Sequence, residues 1–250
     1  MVIVATTPQG ATAMSKRDLF ELDRSGYLLI KGLLTPPESA QLAAAVDRLE
    51  SDAHARLADG AGPVPPSTFF AQRGYHALVN AGRGADGPGR FTSVVLEDWW
   101  NADSAFDLLV DHAPTMAYMS SLIQEEPRLN NSQLFLRYPG STSQLHSGTW
   151  SHGGGSKYRY SWRDGKPDCM LVRLIYFPVA VTADMGAFTV VPGTHKSNAA
   201  PPGVCEAEGG VPPHPSDQPG SVVLETEAGD AILFVEALCH GEYAPSRGYP

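Results

Sequence analysis

Two of the eight histidines in this chain stand where an imidazole can do chemistry. His146 follows Gln144-Leu145 at the end of an extended stretch, and His240 closes the run that starts at Gly229-Asp230-Ala231-Ile232. Imidazoles carried by strands far apart in sequence can meet across the mouth of a β-sandwich, and a pair so placed suits a divalent metal ion. A strand-end histidine is equally an ordinary half-buried polar group, so the pattern by itself leaves both readings open. Cys169, Cys205 and Cys239 are odd in number and widely scattered, which offers neither a disulfide framework nor a Cys-x-x-Cys knuckle.

A second group of residues suggests what such a site would take. From Trp150 to Arg163 the cations Lys157, Arg159 and Arg163 alternate with Trp150, Tyr158, Tyr160 and Trp162, with no acid among them. The stretch from Gly60 to Gly89 adds Phe69, Phe70, Arg73 and Arg83. Aromatic faces beside guanidinium groups suit an anionic molecule with a stackable ring, so a free nucleotide or nucleoside is the expected substrate type. The alternative is a lid whose aromatics pack on the body of the protein and whose cations face water.

The elements that must hold these residues are legible in outline. Ser15-Lys16-Arg17-Asp18 has capping spacing and opens a helix that Gly26 closes. A short strand at Tyr27–Ile30 follows. Thr35-Pro36-Pro37-Glu38 then caps a longer helix with Leu42, Ala45, Val46 and Leu49 on one face. The glycine- and proline-rich stretch from 60 to 89 reads as a long loop or lid, and Asp103 to Ile123 as helix. After Asn130 the texture changes to short apolar runs such as Met170–Phe177, Phe188–Val191, Ser221–Leu224 and Ala231–Val235, which suit an antiparallel sandwich or barrel.

Composition agrees and excludes much. The 250 residues carry 18 basic and 27 acidic side chains, a net charge of −9 that discourages a nucleic-acid polymer as partner. Apolar residues reach 42%, enough for a core, while 25 glycines and 21 prolines favour many short strands. No apolar run has the length of a membrane span, and the opening residues lack a signal-peptide pattern, so a cytoplasmic protein is expected. Oligomeric state is not legible. We read one domain over 1–250, with 1–14 disordered, 15–125 mainly helical support and lid, and 130–250 the β core.

Three separated segments resemble one family. Leu22-Asp23-Arg24-Ser25-Gly26-Tyr27 and the residues that follow look like the opening of the phytanoyl-CoA dioxygenase family of non-haem iron enzymes. Gly186 to Lys196, containing Pro192-Gly193-Thr194-His195, is similar to its internal signature, and Gly229-Asp230-Ala231-Ile232-Leu233-Phe234 to the segment leading to its distal iron ligand. The resemblance implies a mostly β double-stranded β-helix, a cupin-like jelly roll with flanking helices. It implies iron(II), 2-oxoglutarate and O2 as cofactors, with His146 and His240 as metal ligands. It also implies a basic anchor for 2-oxoglutarate: Arg247, with Arg137 and Thr194 as lesser candidates. His195 is expected to be structural.

The chain departs from the family at one position. Family hydroxylases place a carboxylate two residues after the first histidine, and here His146-Ser147-Gly148 ends in glycine, with no Asp or Glu from Thr149 to Arg163. The pattern resembles that of iron- and 2-oxoglutarate-dependent halogenases, in which a halide takes the empty place, so Gly148 marks the expected chloride position. The expected activity is chlorination of an aliphatic carbon in a freestanding metabolite, within natural-product or antibiotic biosynthesis. The substrate contacts are expected from Trp150, Lys157, Arg159, Trp162, Arg163, Phe70 and Arg73. Other readings are a hydroxylase with two protein ligands, an inactive binding module, and His152 as a replacement ligand.

Overall fold

Ser15 caps the first helix as its spacing requires: its hydroxyl accepts the Asp18 N–H at 3.1 Å, and the Asp18 carboxylate accepts the Ser15 N–H at 3.1 Å. The structure is a computed structural model, and its described residues are 4–6, 14–58, 68–70, 75–80, 93–123, 126–139, 141, 143–151, 158–202 and 218–242. In chain order the elements are β1 (Val4–Thr6), α1 (Lys16–Ser25), β2 (Tyr27–Lys31), α2 (Pro36–Ala58), β3 (Thr68–Phe70), β4 (Tyr75–Asn80), β5 (Ser93–Glu97), α3 (Ala113–Leu122), β6 (Gln133–Arg137), β7 (Ser143–His146) and α4 (Gly148–Ser151). They continue with β8 (Tyr160–Arg163), β9 (Lys166–Cys169), β10 (Val172–Tyr176), β11 (Phe188–Val191), β12 (Val222–Leu224), β13 (Ala231–Val235) and β14 (Cys239–Glu242).

Two four-stranded sheets form the body. One runs β1-β2-β13-β10 and the other β12-β11-β14-β7, all antiparallel except for the β1–β2 pair. Their apolar faces share one core, where Tyr27, Leu29, Ile232 and Phe234 meet Phe188, Val190 and Leu224. The Phe188 and Phe234 rings are 5.0 Å apart, which joins the two layers directly. This is the double-stranded β-helix anticipated from the sequence. A third sheet, β3-β4-β5-β6, packs against α2, with Leu42, Ala45, Val46 and Leu49 on Val94, Leu96, Leu136 and Phe106. Those four α2 positions are the ones its helical spacing selects.

Asp230, only 2% exposed, ties the end of β2 to the turn before β13. Its carboxylate accepts from Lys31 Nζ at 2.6 Å, the Gly32 N–H at 3.0 Å and the Glu227 N–H at 2.8 Å. Before it, Gly229 has φ +94°, and a Cβ there would fall 2.7 Å from the Leu34 carbonyl oxygen.

Three expectations are corrected. Residues 4–6 are not disordered but form β1, paired with Leu29–Lys31. The region read as lid contains β3 and β4, which pair with each other, and β4 pairs in turn with β5, later in the chain. The helix expected from Asp103 to Ile123 is a 3-10 turn at Ser104–Leu109 followed by α3, because Pro114 can sit only in a first turn. Among the described residues no helix is long and apolar enough to cross a membrane.

Candidate metal and co-substrate site

β14 and β7 are hydrogen-bonded neighbours, and their register sets His240 directly opposite His146. Opposed residues on antiparallel strands project to the same face, so the rings meet, with centroids 4.3 Å apart and planes at 59°. His240 is 5% exposed and lies against Phe234 at 4.7 Å and Phe188 at 5.5 Å. Its Nδ1 is 2.7 Å from the Leu238 carbonyl oxygen; a carbonyl only accepts, so Nδ1 carries the proton and Nε2 keeps the lone pair. Two imidazoles held at right angles on one divalent ion at about 2.1 Å would have centroids about 4.5 Å apart. The pair therefore fits a metal. Among the described residues no third His, Cys, Asp or Glu completes a cluster that could hold one.

Gly148 begins α4, and its N–H donates to the Glu236 carbonyl oxygen at 2.9 Å. The space beside its Cα is filled by other side chains. A Cβ at Gly148 would lie 2.5 Å from Tyr158 Cδ1, 2.8 Å from Tyr158 Cγ and 2.9 Å from Glu236 Cγ. Glu236 is 4% exposed, and its carboxylate is paired with Arg173 Nε. Arg173 stands opposite Phe234 in the β10–β13 register, which places the ion pair on the aromatic side of the sheet. Sequence reasoning missed this acid and its partner. The available signal was a single carboxylate inside the otherwise apolar run Ala231–Cys239.

Of the co-substrate candidates, Arg137 lies close to the pair. Its guanidinium is ion-paired with Glu242, two residues beyond His240 and so on the same face of β14. It also donates to Ser141 Oγ at 3.0 Å and sits 5.3 Å from the Phe135 ring centroid. Burial lowers its pKa to about 10, which still leaves it charged at neutral pH. Thr194 braces the strand end: its hydroxyl donates to the Val191 carbonyl at 2.7 Å and accepts the Cys239 N–H at 2.8 Å, next to His240. Arg247 and His152 lie outside the described residues.

His195 is structural. Its Nε2–H donates to the Asp23 carbonyl at 3.0 Å, its ring meets Tyr160 edge-on at 4.9 Å, and burial lowers its pKa to about 4. It also explains Gly26, with φ +86°, where a Cβ would fall 2.7 Å from His195 Nδ1.

The expected substrate residues divide. Arg159 and Arg163 line a cavity of about 550 Å³ with Thr149, Tyr160, His195 and Lys196, beside Gly148. Most of its charge is balanced: Arg163 pairs with Asp168 at 2.9 Å and Lys196 with Asp23 at 2.5 Å. Among the described residues no acid pairs with Arg159. Trp162 is 47% exposed on β8 and is not part of the lining. Trp150 belongs to α4 and Phe70 to β3, while Lys157 and Arg73 lie outside the described residues.

The family model for phytanoyl-CoA dioxygenase (PhyH) matches residues 22–244. HygX from Streptomyces hygroscopicus, with nickel and 2-oxoglutarate bound, has TM-score 0.70 at 19% identity, over 95% of this chain and 83% of its own. EctD from S. alaskensis, with 2-oxoglutarate and 5-hydroxyectoine, has TM-score 0.60 at 20% identity, over 98% and 77%. The non-heme alpha ketoglutarate dependent epimerase SnoN from nogalamycin biosynthesis has TM-score 0.60 at 18% identity, over 94% and 76%. At such identities these likenesses show the fold. No curated protein matches the chain.

Proposed function

This chain belongs to the phytanoyl-CoA dioxygenase family, and we propose that it is an iron(II)- and 2-oxoglutarate-dependent oxidoreductase acting on a freestanding polar metabolite. The observation that carries this reading is the His146–His240 pair, opposed across β7 and β14, with one imidazole oriented by the Leu238 carbonyl. Bound iron(II) and 2-oxoglutarate would supply oxygen activation coupled to decarboxylation of the co-substrate, which is enough to break an unactivated C–H bond. His146 and His240 hold the metal, and the aromatic floor of Phe188 and Phe234 keeps water from their buried side. Arg137, or Arg247 beyond the described residues, holds the far carboxylate of 2-oxoglutarate, a task suited to a guanidinium fork. In the first case Glu242 must share Arg137 with the co-substrate.

Neither His146 nor His240 lines the cavity that holds Arg159, and Thr149, three residues after His146, is what links the two, so Arg159 is taken as a charged contact at the outer end of the substrate. Because Arg163 and Lys196 are already paired, the lining suits a neutral or singly charged polar molecule better than a polyphosphate. Of the nucleotide and the nucleoside expected from the sequence, the nucleoside suits this lining better. Related folds support free natural-product scaffolds: HygX has been seen with hygromycin B and SnoN with nogalamycin RO.

Two outcomes of C–H oxidation follow from what takes the third metal position. Gly148 favours chlorination, in which chloride replaces hydrogen and the second oxygen atom leaves as water. The Tyr158 ring beside Gly148 favours hydroxylation, which needs no added anion in that space. We take hydroxylation as the outcome for the arrangement described and chlorination as the second reading. The test is to incubate the protein with iron(II), 2-oxoglutarate and oxygen and a panel of aminoglycosides, glycosylated polyketides and nucleosides, with and without chloride, and to weigh the products. Substrate-dependent succinate formation with a product heavier by one oxygen is expected. A chlorinated product formed only with chloride establishes the second reading, and failure to consume 2-oxoglutarate with any compound contradicts both.

A further inference from the structure

We infer that Tyr158 determines which ligand the site accepts: its ring is seated where a side chain at position 148 would project, and it closes that space to a carboxylate or a small anion. The inference deepens the metal-site reading and rests on it.

Position 148 has two close neighbours, and neither can yield cheaply. The atoms facing it from Tyr158 are Cγ and Cδ1, at the root of the ring, so relief requires the whole ring to leave. From the other side comes the Glu236 stem, whose buried carboxylate is fixed by Arg173 and whose carbonyl accepts the Gly148 N–H. The Tyr158 backbone is also tied to α4, because Thr149 Oγ1 donates to the Tyr158 carbonyl at 3.4 Å. Glycine at 148 is thus required by the close approach of an aromatic ring and a buried acid. Approaches of 2.5–2.9 Å are closer than real Cβ contacts come, so any side chain at 148 must expel the ring. His146 is two residues away, so whatever fills this space borders the proposed metal position.

The ring excludes anions by bulk, and its hydroxyl is not needed for that. Tyr158→Phe should therefore behave like the parent, whereas Tyr158→Ala should open the space to azide or chloride.

Two measurements test this, the first without metal. Gly148→Ala should lower the melting temperature by several degrees, and Tyr158→Ala in the same chain should restore most of the added loss. A Gly148→Ala variant that melts with the parent, or a loss that Tyr158→Ala does not relieve, overturns the packing claim whether or not the protein binds metal. In the second, cobalt(II) is added to the protein and azide binding is followed by the visible spectrum. Tyr158→Ala should bind azide at least tenfold more tightly than the parent and Tyr158→Phe. In the Tyr158→Ala background, Gly148→Asp should raise cobalt affinity at least tenfold. Unchanged azide binding or unchanged cobalt affinity overturns the anion-exclusion claim. If the parent takes up no cobalt, the metal-site reading fails instead, and the melting data still decide the packing.

Discussion

The side chains at the proposed centre differ in how far they could be foreseen. His146 and His240 stand out in the sequence because each closes an extended or apolar run, and the structure sets them opposite each other across β7 and β14. Tyr158 and Glu236 were not, because their importance lies in atoms that approach Gly148 from other parts of the chain, and no spacing rule reports such a contact. Glu236 left one trace, a lone carboxylate in an apolar run, which burial makes costly unless it is paired. That pairing gives a prediction. Glu236→Gln keeps the shape but leaves Arg173 facing a neutral amide, so it should cost about 1–3 kcal/mol in urea unfolding. Glu236→Gln in a chain already carrying Arg173→Met should cost much less. An equal loss in both backgrounds would show that the ion pair is not what Glu236 contributes.

At the scale of elements, local rules worked where one segment carries the whole signal. The Ser15–Asp18 capping box, the left-handed Gly26 and the apolar stripe of α2 appear as expected. They failed where partners come from elsewhere: β3 and β4 sit in glycine-rich sequence and gain their ladder from β5, which no local periodicity announces. The packing of α1 on the turn after β11 makes its own prediction. His195 is 6% exposed, and its burial, with Lys196 beside it, opposes protonation more than the hydrogen bond to the Asp23 carbonyl favours it. Its pKa falls from an unfolded value of about 6.5 to about 4. The unfolded chain then binds the extra proton first. The contribution is complete above pH 6.5 and is lost as pH falls toward 4, by up to about 3 kcal/mol. Urea midpoints at pH 7 and pH 4.5 should differ for the parent and differ less for His195→Gln; identical pH slopes would contradict the assignment. Asp230, which joins β2 to the turn before β13, is a second link between elements. Asp230→Asn removes the charge facing Lys31 and is expected to lose about 2–3 kcal/mol in the same assay.

For the molecule as a whole, the sandwich and its helical layer exist to bring two distant strands together. Residues 146 and 240 belong to separate runs, and β14 meets β7 only because β11 and β7 flank it in one sheet. Fold class was legible from texture alone, since short apolar runs broken by glycine and proline leave few alternatives to a sandwich. The cationic segment misled in one respect. The cations Arg163 and Lys196 are largely spent on Asp168 and Asp23, so position in the sequence overstated the positive character of the cavity. What the architecture predicts as a unit is a ternary site of protein, metal and co-substrate. It is tested most directly by titrating anaerobic protein plus 2-oxoglutarate with iron(II) and following the visible metal-to-ligand charge-transfer band. The parent should develop this band with one iron per chain, and His146→Ala and His240→Ala should each lose it while remaining folded. A parent without the band, or either histidine variant that keeps it at full strength, would contradict the assignment of iron to this pair.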